Sequence, residues 1–266
     1  MSVIQWNICG FAANREQVRT MFKEYDATAI CLQETKLGDS SPNVGNNFTF
    51  YRSPPLRNIR TYGGTAIIVK SSVNQRSVHL NTVLQACAIQ IFTTRWVTLC
   101  SLYLDPSLED RLQDGCGNSR QLELNDLQNL IDQLPQPFIL MGDFSAKHTL
   151  WGESHCDQWG HIIEELLDNN DITLMNDGSF TRHDVFHNTD SAIDLSICSP
   201  SLRLDYQWSV NEDVHGSDHW PIYLKYVRNI PSSCLPKWKT SEGDWNPLKL
   251  TVTLGIFIVQ CQLMSI

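Results

Sequence analysis

Acidic side chains stand at the ends of apolar, strand-like runs throughout this chain. Glu34 follows AICLQ, Asp143 follows FILMG, Asp194 lies inside SAIDLSI, and Asp218-His219 comes just before WPIYL. Strand ends are where α/β proteins build their sites. A set of carboxylates with one histidine suits a hard divalent cation such as Mg²⁺, which takes oxygen ligands and commonly bridges protein carboxylates to a phosphate. That is metal-assisted phosphoryl chemistry in outline. Singly, each acid is uninformative, because acids at strand ends are usually turn formers or solvated charges; the ensemble carries the argument.

For these residues to meet, the elements that bear them must converge. Val3, Ile4, Trp6 and Ile8 read as a strand, and Asn14 with Gln17 forms a capping-box pattern ahead of Val18, Met21, Phe22 and Tyr25 at helical spacing. Ala27 to Leu32 and Gly64 to Val69 are short apolar runs, and Val83 to Phe92 with Trp96 to Leu104 predicts two strands joined by a Thr-Thr-Arg turn. Leu124, Leu127, Leu130, Ile131 and Leu134 predict an amphipathic helix that ends before Pro135 and Pro137, and Phe138 to Met141 then makes a strand of buried type. Ile162, Ile163, Leu166 and Leu167 mark another helix. Short strands return at Ile172 to Met175, Ala192 to Ile197, Leu204 to Val210 and His219 to Val227. Strands and helices mix without the steady alternation of a barrel, so two packed sheets covered by helices are expected.

The 266 residues, 42% of them hydrophobic, can bury a large core, and one folded unit is expected over 1–228. Residues 229–266 differ. Pro231 to Trp245 has the composition of a linker, and Leu250 to Ile266 is an apolar stretch at the short edge of what a membrane span needs, broken by Thr and Gln. Neither is expected to join the core, and no stable membrane association is expected. A net charge of -9 opposes the broad basic face that would hold DNA by phosphate contacts alone, so any nucleic-acid site has to be a local groove. Nine cysteines form no CxxC pair, and Cys31, Cys87, Cys100 and Cys198 lie inside apolar runs, which favours a reducing, intracellular compartment. Met1 to Cys9 enters a strand pattern directly, without the pattern of a secretion signal.

QWNICG, LQETKL, SLYLDP, GDFSAKH, SAIDL and GSDHWPI occur in the order of the motifs of the endonuclease/exonuclease/phosphatase superfamily, which the chain resembles from about Ile4 to Val227. GDFSAKHTLWG, LMNDGSFTRHD and SAIDLSICS look most like the endonuclease domain of jockey-like non-LTR retrotransposons, an apurinic/apyrimidinic endonuclease-like nuclease. WKTSEGDWNP resembles the junction to a reverse transcriptase domain, the partner in the parent element, which is absent from this sequence. The resemblance implies a four-layer α/β sandwich, two packed mixed β-sheets flanked by helices. It also implies Mg²⁺-dependent nicking of double-stranded DNA in the nucleus, with Mn²⁺ as a substitute cation.

Carried over residue by residue, the resemblance makes Glu34 the principal metal ligand, with Asn7 and Asp218 completing the metal and phosphate environment. His219 pairs with Asp194, whose carboxylate fixes its tautomer and favours its charged form. Asp143 sits by the attacking water or leaving group, and Tyr103 is matched with a tyrosine that touches the scissile phosphate. Thr181, Ser191 and Lys147 fall at positions that line the substrate. Two departures stand out. Ser145 occupies a position where the family pattern has asparagine, and serine is a shorter donor and acceptor. Asp105 follows Tyr103 where the pattern more often has proline, adding a negative charge.

Two other functions stay open at this level: a catalytically decayed remnant that binds nucleic acid, and a phospholipid or inositol-phosphate phosphodiesterase on the same scaffold. Arg52, Arg57, Arg60 and Lys70, with Trp151 or Tyr62, are secondary candidates for a DNA groove. The histidines His148, His155, His161, His183, His187, His215 and His219 lack a second ligand pair at zinc-finger spacing.

Overall fold

The computed structural model describes residues 1–38, 42, 44–53, 63–105, 108, 120–212 and 216–227. Arg57, Arg60, Tyr62 and the segment 229–266, with its linker-like stretch and apolar tail, lie outside the described residues.

Fourteen strands and four helices follow one another as β1 (Ser2–Asn7), α1 (Phe11–Glu24), β2 (Ala29–Gln33), β3 (Phe48–Arg52), β4 (Ala66–Lys70), β5 (Gln75–Val78), β6 (Gln85–Phe92), β7 (Trp96–Tyr103), α2 (Leu124–Asp132), β8 (Phe138–Asp143), α3 (Gln158–Asn169), β9 (Thr173–Leu174), β10 (Arg182–Asp184), β11 (Thr189–Ser191), β12 (Asp194–Cys198), α4 (Pro200–Arg203), β13 (Tyr206–Val210) and β14 (Ile222–Tyr226), counted among the described residues. One sheet has the order β13-β14-β1-β2-β4-β3 and the other β5-β6-β7-β8-β12-β9, with β10-β11 a separate ribbon. Both sheets are mixed: β1 runs parallel to β2 and β7 parallel to β8, while the other neighbours are antiparallel.

Period-two alternation sorts each central strand into two faces. In β1, Ile4 and Trp6 turn outward and pack with Val18, Met21 and Phe22 of α1. Val3 turns inward, into an apolar layer shared with Cys31, Ile67, Leu99, Ile139 and Met141. On the far side, Leu102, Leu140 and Leu195 meet Leu127, Leu130, Ile163 and Leu166 of α2 and α3. Helix, sheet, sheet and helices therefore stack in four layers, the expected sandwich.

Several local expectations change. Helix α1 starts at Phe11, and Asn14 inside it has non-helical angles (φ -110°, ψ 15°). Its amide donates to Ile8 O (2.8 Å) and Gly216 O (3.3 Å), so tertiary carbonyls take the group that the pattern offered as a cap. The helix that does carry a capping box is α2, where Glu123 and Asp126 exchange bonds with each other's backbone. Trp151 is no groove residue: it is fully buried, with Nε1 donating to Ala146 O at 3.2 Å. Asp105 is likewise fully buried. Arg52 donates to Gly38 O and Lys70 pairs with Asp26. Cys31, Cys87, Cys100 and Cys198 are buried and free, and burial pushes the Cys87 thiol up to about 12. No helix among the described residues is long and apolar enough to cross a membrane.

Candidate active site

The same alternation that fills the layer between the sheets makes it polar at one end. The inward series Val3, Gln5, Asn7 on β1 runs from apolar to amide, and Ala29, Cys31, Gln33 on β2 does the same. Leu99, Ser101, Tyr103 on β7 and Ile139, Met141, Asp143 on β8 complete the set. Strand registers bring these ends level, with Asn7 opposite Gln33, Tyr103 opposite Asp143, and Asp143 opposite Asp194 on antiparallel β12. The candidate residues thus converge where the C-terminal ends of β1, β2, β7 and β8 meet the start of β12.

Hydrogen bonds and one ion pair join them into one network. Asn7 Nδ2 donates to Glu34 Oε1 (3.1 Å) and Asp143 Oδ2 (2.8 Å), and Tyr103 donates to Glu34 Oε1 at 3.1 Å. Lys36 Nζ lies 3.0 Å from Glu34 Oε2. His219 Nδ1 is 2.8 Å from Asp194 Oδ2, and its Nε2 is 3.8 Å from Asp143 Oδ2. Asp194 Oδ2 also accepts from Thr181 Oγ1 (2.7 Å), and Asp194 Oδ1 accepts from Gln5 Nε2 (2.9 Å). Ser145, in a left-handed conformation (φ 46°), gives Asp143 Oδ1 both its N–H (2.9 Å) and its hydroxyl (3.2 Å).

Three predicted residues stand apart from this network. Asp218 turns its carboxylate to Arg182 Nε at 2.8 Å. Ser191 pairs with Arg182 across the β10-β11 ribbon, and its carbonyl accepts from Thr181 N. Lys147 is tied through its backbone to Asp157.

Burial and neighbouring charge set the ionisation of the cluster. Burial drives the Asp143 carboxyl up and, with Asp194 adding to it, outweighs the attraction of His219, leaving it at about 6. Burial works against the charge of His219, but Asp194, Asp143 and Asp218 prevail and raise it to about 9. For Glu34, burial is outweighed by its bonds to Lys36, Asn7 and Tyr103, and the carboxyl sits below its ordinary value.

A hard divalent cation fits this donor set. Glu34 is held ionised, its side chain 21% exposed, and its oxygens accept from groups that a cation could replace. Asn7 Oδ1 meanwhile accepts from Cys9 N (3.2 Å), so its amide faces the acids through N–H groups. A second cluster, His148, His161 and Glu164, has ligand atoms within 4.8 Å of one another. His148 Nδ1 accepts from Leu150 N (3.1 Å), so the neutral ring carries its proton on Nε2, which faces Glu164 at 3.3 Å. A protonated nitrogen offers a cation no lone pair, and this cluster reads as a clip on the Thr149–Trp151 turn.

Residue-type reasoning missed Gln5, Gln33, Lys36, Ser101 and Arg182. Gln33 accepts from Gln5 (3.1 Å) and donates to Ser101 Oγ (2.8 Å), linking the two sheets beneath the acids. A signal existed: Gln5 and Gln33 are polar residues inside otherwise apolar strands, and such groups are buried only with partners.

Against solved structures, the endonuclease domain of TRAS1, a telomere-specific non-LTR retrotransposon, superposes with a TM-score of 0.67 over 85% of this chain and 97% of that chain, at 20% identity. The fold is that of the endonuclease/exonuclease/phosphatase superfamily. The catalytic domain of Xenopus laevis APE2 shares this superfamily fold, with a TM-score of 0.64 over 85% of this chain and 91% of that chain at 18% identity. In sequence, residues 97–223 match the family described as endonuclease-reverse transcriptase. The chain is similar to the RNA-directed DNA polymerase from mobile element jockey of Drosophila melanogaster, 26% identical over 236 residues, covering 82% of this chain and 23% of that protein. It is 24% identical over 233 residues to the probable RNA-directed DNA polymerase from transposon BS of the same species, covering 84% of this chain. The chain spans about a quarter of the length of these relatives. The similarities found are thus to the expected fold and to jockey-like relatives.

Proposed function

We propose that this chain is a Mg²⁺-dependent DNA endonuclease that nicks duplex DNA, as the nuclease portion of a non-LTR retrotransposon protein acting in the nucleus. One observation carries the reading: Asn7, Glu34, Tyr103, Asp143, Asp194 and His219, spread over 213 positions of sequence, form a single network of hydrogen bonds closed by the 3.8 Å His219–Asp143 ion pair. Retention of that network is what phosphodiester hydrolysis needs, since the chemistry is mostly positioning and charge stabilisation.

Glu34 is the residue that would hold the cation, with Asn7 beside it, while Asp218, expected there as well, faces Arg182. When bound, Mg²⁺ neutralises phosphate charge and stabilises the leaving oxyanion. Asp143, at about 6, is ionised near neutral pH yet basic enough to take a proton from an attacking water. His219, held charged up to about 9, offers Nε2–H to a phosphate oxygen while Asp194 fixes Nδ1. Tyr103 and Asn7 keep Glu34 oriented.

Supercoiled-plasmid nicking tests this directly. Turnover in Mg²⁺ or Mn²⁺, lost in EDTA and in Glu34→Ala, is the expected result. Equal nicking by the variant would remove Glu34 from the mechanism. Ser145 gives the decayed-remnant reading its observation, because its hydroxyl is spent on Asp143. Cation binding without turnover would identify that case, and cleavage of a phospholipid headgroup in place of DNA would reassign the substrate.

A further inference from the structure

Arg182 opens β10 directly across from His219. Its Nε donates to Asp218 Oδ2 at 2.8 Å, and the two side chains are 33% and 34% exposed. Among the described residues that is the one hydrogen bond the guanidinium makes, and its Nη N–H groups have no acceptor among them. The backbone around it is pinned: His183 N donates to Asp218 O (2.8 Å) and Trp220 N to Thr181 O (2.7 Å). An anionic phosphodiester approaching Glu34, Asp143, Asp194 and Asp218 meets repulsion unless a cation faces it. Lys36 is committed to Glu34 at 3.0 Å. A guanidinium fixed at its Nε edge keeps a planar fork of donors suited to phosphate oxygens.

We propose that Arg182 is a substrate-phosphate clamp of this site, with Asp218 acting as the brace that aims it. The assignment rests on the nuclease reading. It gives Asp218 a positioning role through Arg182. Burial opposes the charge on Arg182, and Asp218, Asp143 and Asp184 outweigh it, so the clamp stays cationic.

The test is equilibrium binding of a fluorescently labelled duplex DNA in EDTA across a salt series, where no turnover intervenes. Arg182→Gln should weaken binding about tenfold or more at low salt and lower the slope of log affinity against log salt by about one. Arg182→Lys should keep the slope while losing affinity, because a point charge replaces the fork. Asp218→Asn should leave the slope undiminished. Wild-type slope and affinity in Arg182→Gln would overturn the clamp and leave the nuclease reading standing. Equal losses in Arg182→Gln and Asp218→Asn without a slope change would show a structural brace only, overturning it as well. Absence of salt-dependent duplex binding by the wild-type chain would sink the nuclease reading and the clamp together.

Discussion

Asp143 and Asp194 are direct cross-strand partners on β8 and β12, and they flank the His219 ring from opposite sides, at 3.8 Å from Nε2 and 2.8 Å from Nδ1. Two buried carboxylates this close repel one another, and the imidazolium between them relieves that repulsion. Ionisation, stability and chemistry are therefore linked at this point of the fold.

Asp194→Asn should be among the most destabilising isosteric changes in the chain. The residue is fully buried and accepts from Gln5, Thr181 and His219. Breaking a buried pair from one side costs about 3–5 kcal/mol. His219 is raised from 6.5 to about 9, so its contribution to stability is full below pH 6.5 and is lost as pH rises through about 9. Urea unfolding in EDTA should show a large deficit at pH 6 that narrows above pH 9. A deficit that stays constant with pH would contradict the ion pair.

The pH dependence of nicking should be bell-shaped. Activity rises as Asp143 loses its proton near 6 and falls as His219 loses its proton near 9. The two limbs belong to the coupled pair, not to isolated residues. Asp143→Asn should lower the rate by roughly 10²–10⁴-fold. A rate still climbing above pH 9 would show that neutral His219 suffices.

Ser145→Asn should raise activity and modestly raise stability. Asparagine tolerates left-handed backbone better than serine does, and Ser145 sits at φ 46°. The gain in stability should be below about 1 kcal/mol. The longer amide also reaches past Asp143, where the serine hydroxyl stops at 3.2 Å. Plasmid nicking and thermal melts on the pair of proteins measure both effects; an unchanged rate would mean that serine already supports full turnover.

Gly142→Ala should disrupt the site through the sheet. A Cβ at Gly142 would fall 1.9 Å from the Leu102 carbonyl oxygen, which is backbone and has nowhere to move. The register that sets Tyr103 beside Asp143 runs through this pair. A loss of about 3 kcal/mol, the upper end of the usual cost of overpacking, is expected. Near-native stability with native activity would show that β7 and β8 separate more easily than their pairing suggests.

Much of this molecule was legible in one dimension. The apolar runs that become β1, β2, β7, β8 and β12, and the helical spacing of α1, α2 and α3, follow from local periodicity, because each strand or helix face buries its own stripe. The motifs around Glu34, Asp143, Asp194 and His219 named the candidate residues for the same reason: each adjoins an apolar run that is readable alone. Other elements were not legible. The strand β3 (FTFYR) and the edge strand β5 (QRSV) carry no clean alternation, and they are strands because β4 and β6 offer them hydrogen-bonding edges. The partner of each polar group was decided in three dimensions as well. Gln5 reaches Asp194 across 189 positions, Asn14 serves Gly216 across 202, and Asp218 faces Arg182. Residue type and spacing settle what a side chain can do, since those are properties of the residue and its near neighbours. Which groups meet depends on strand register and on how two sheets stack, and both are set by packing over the whole core.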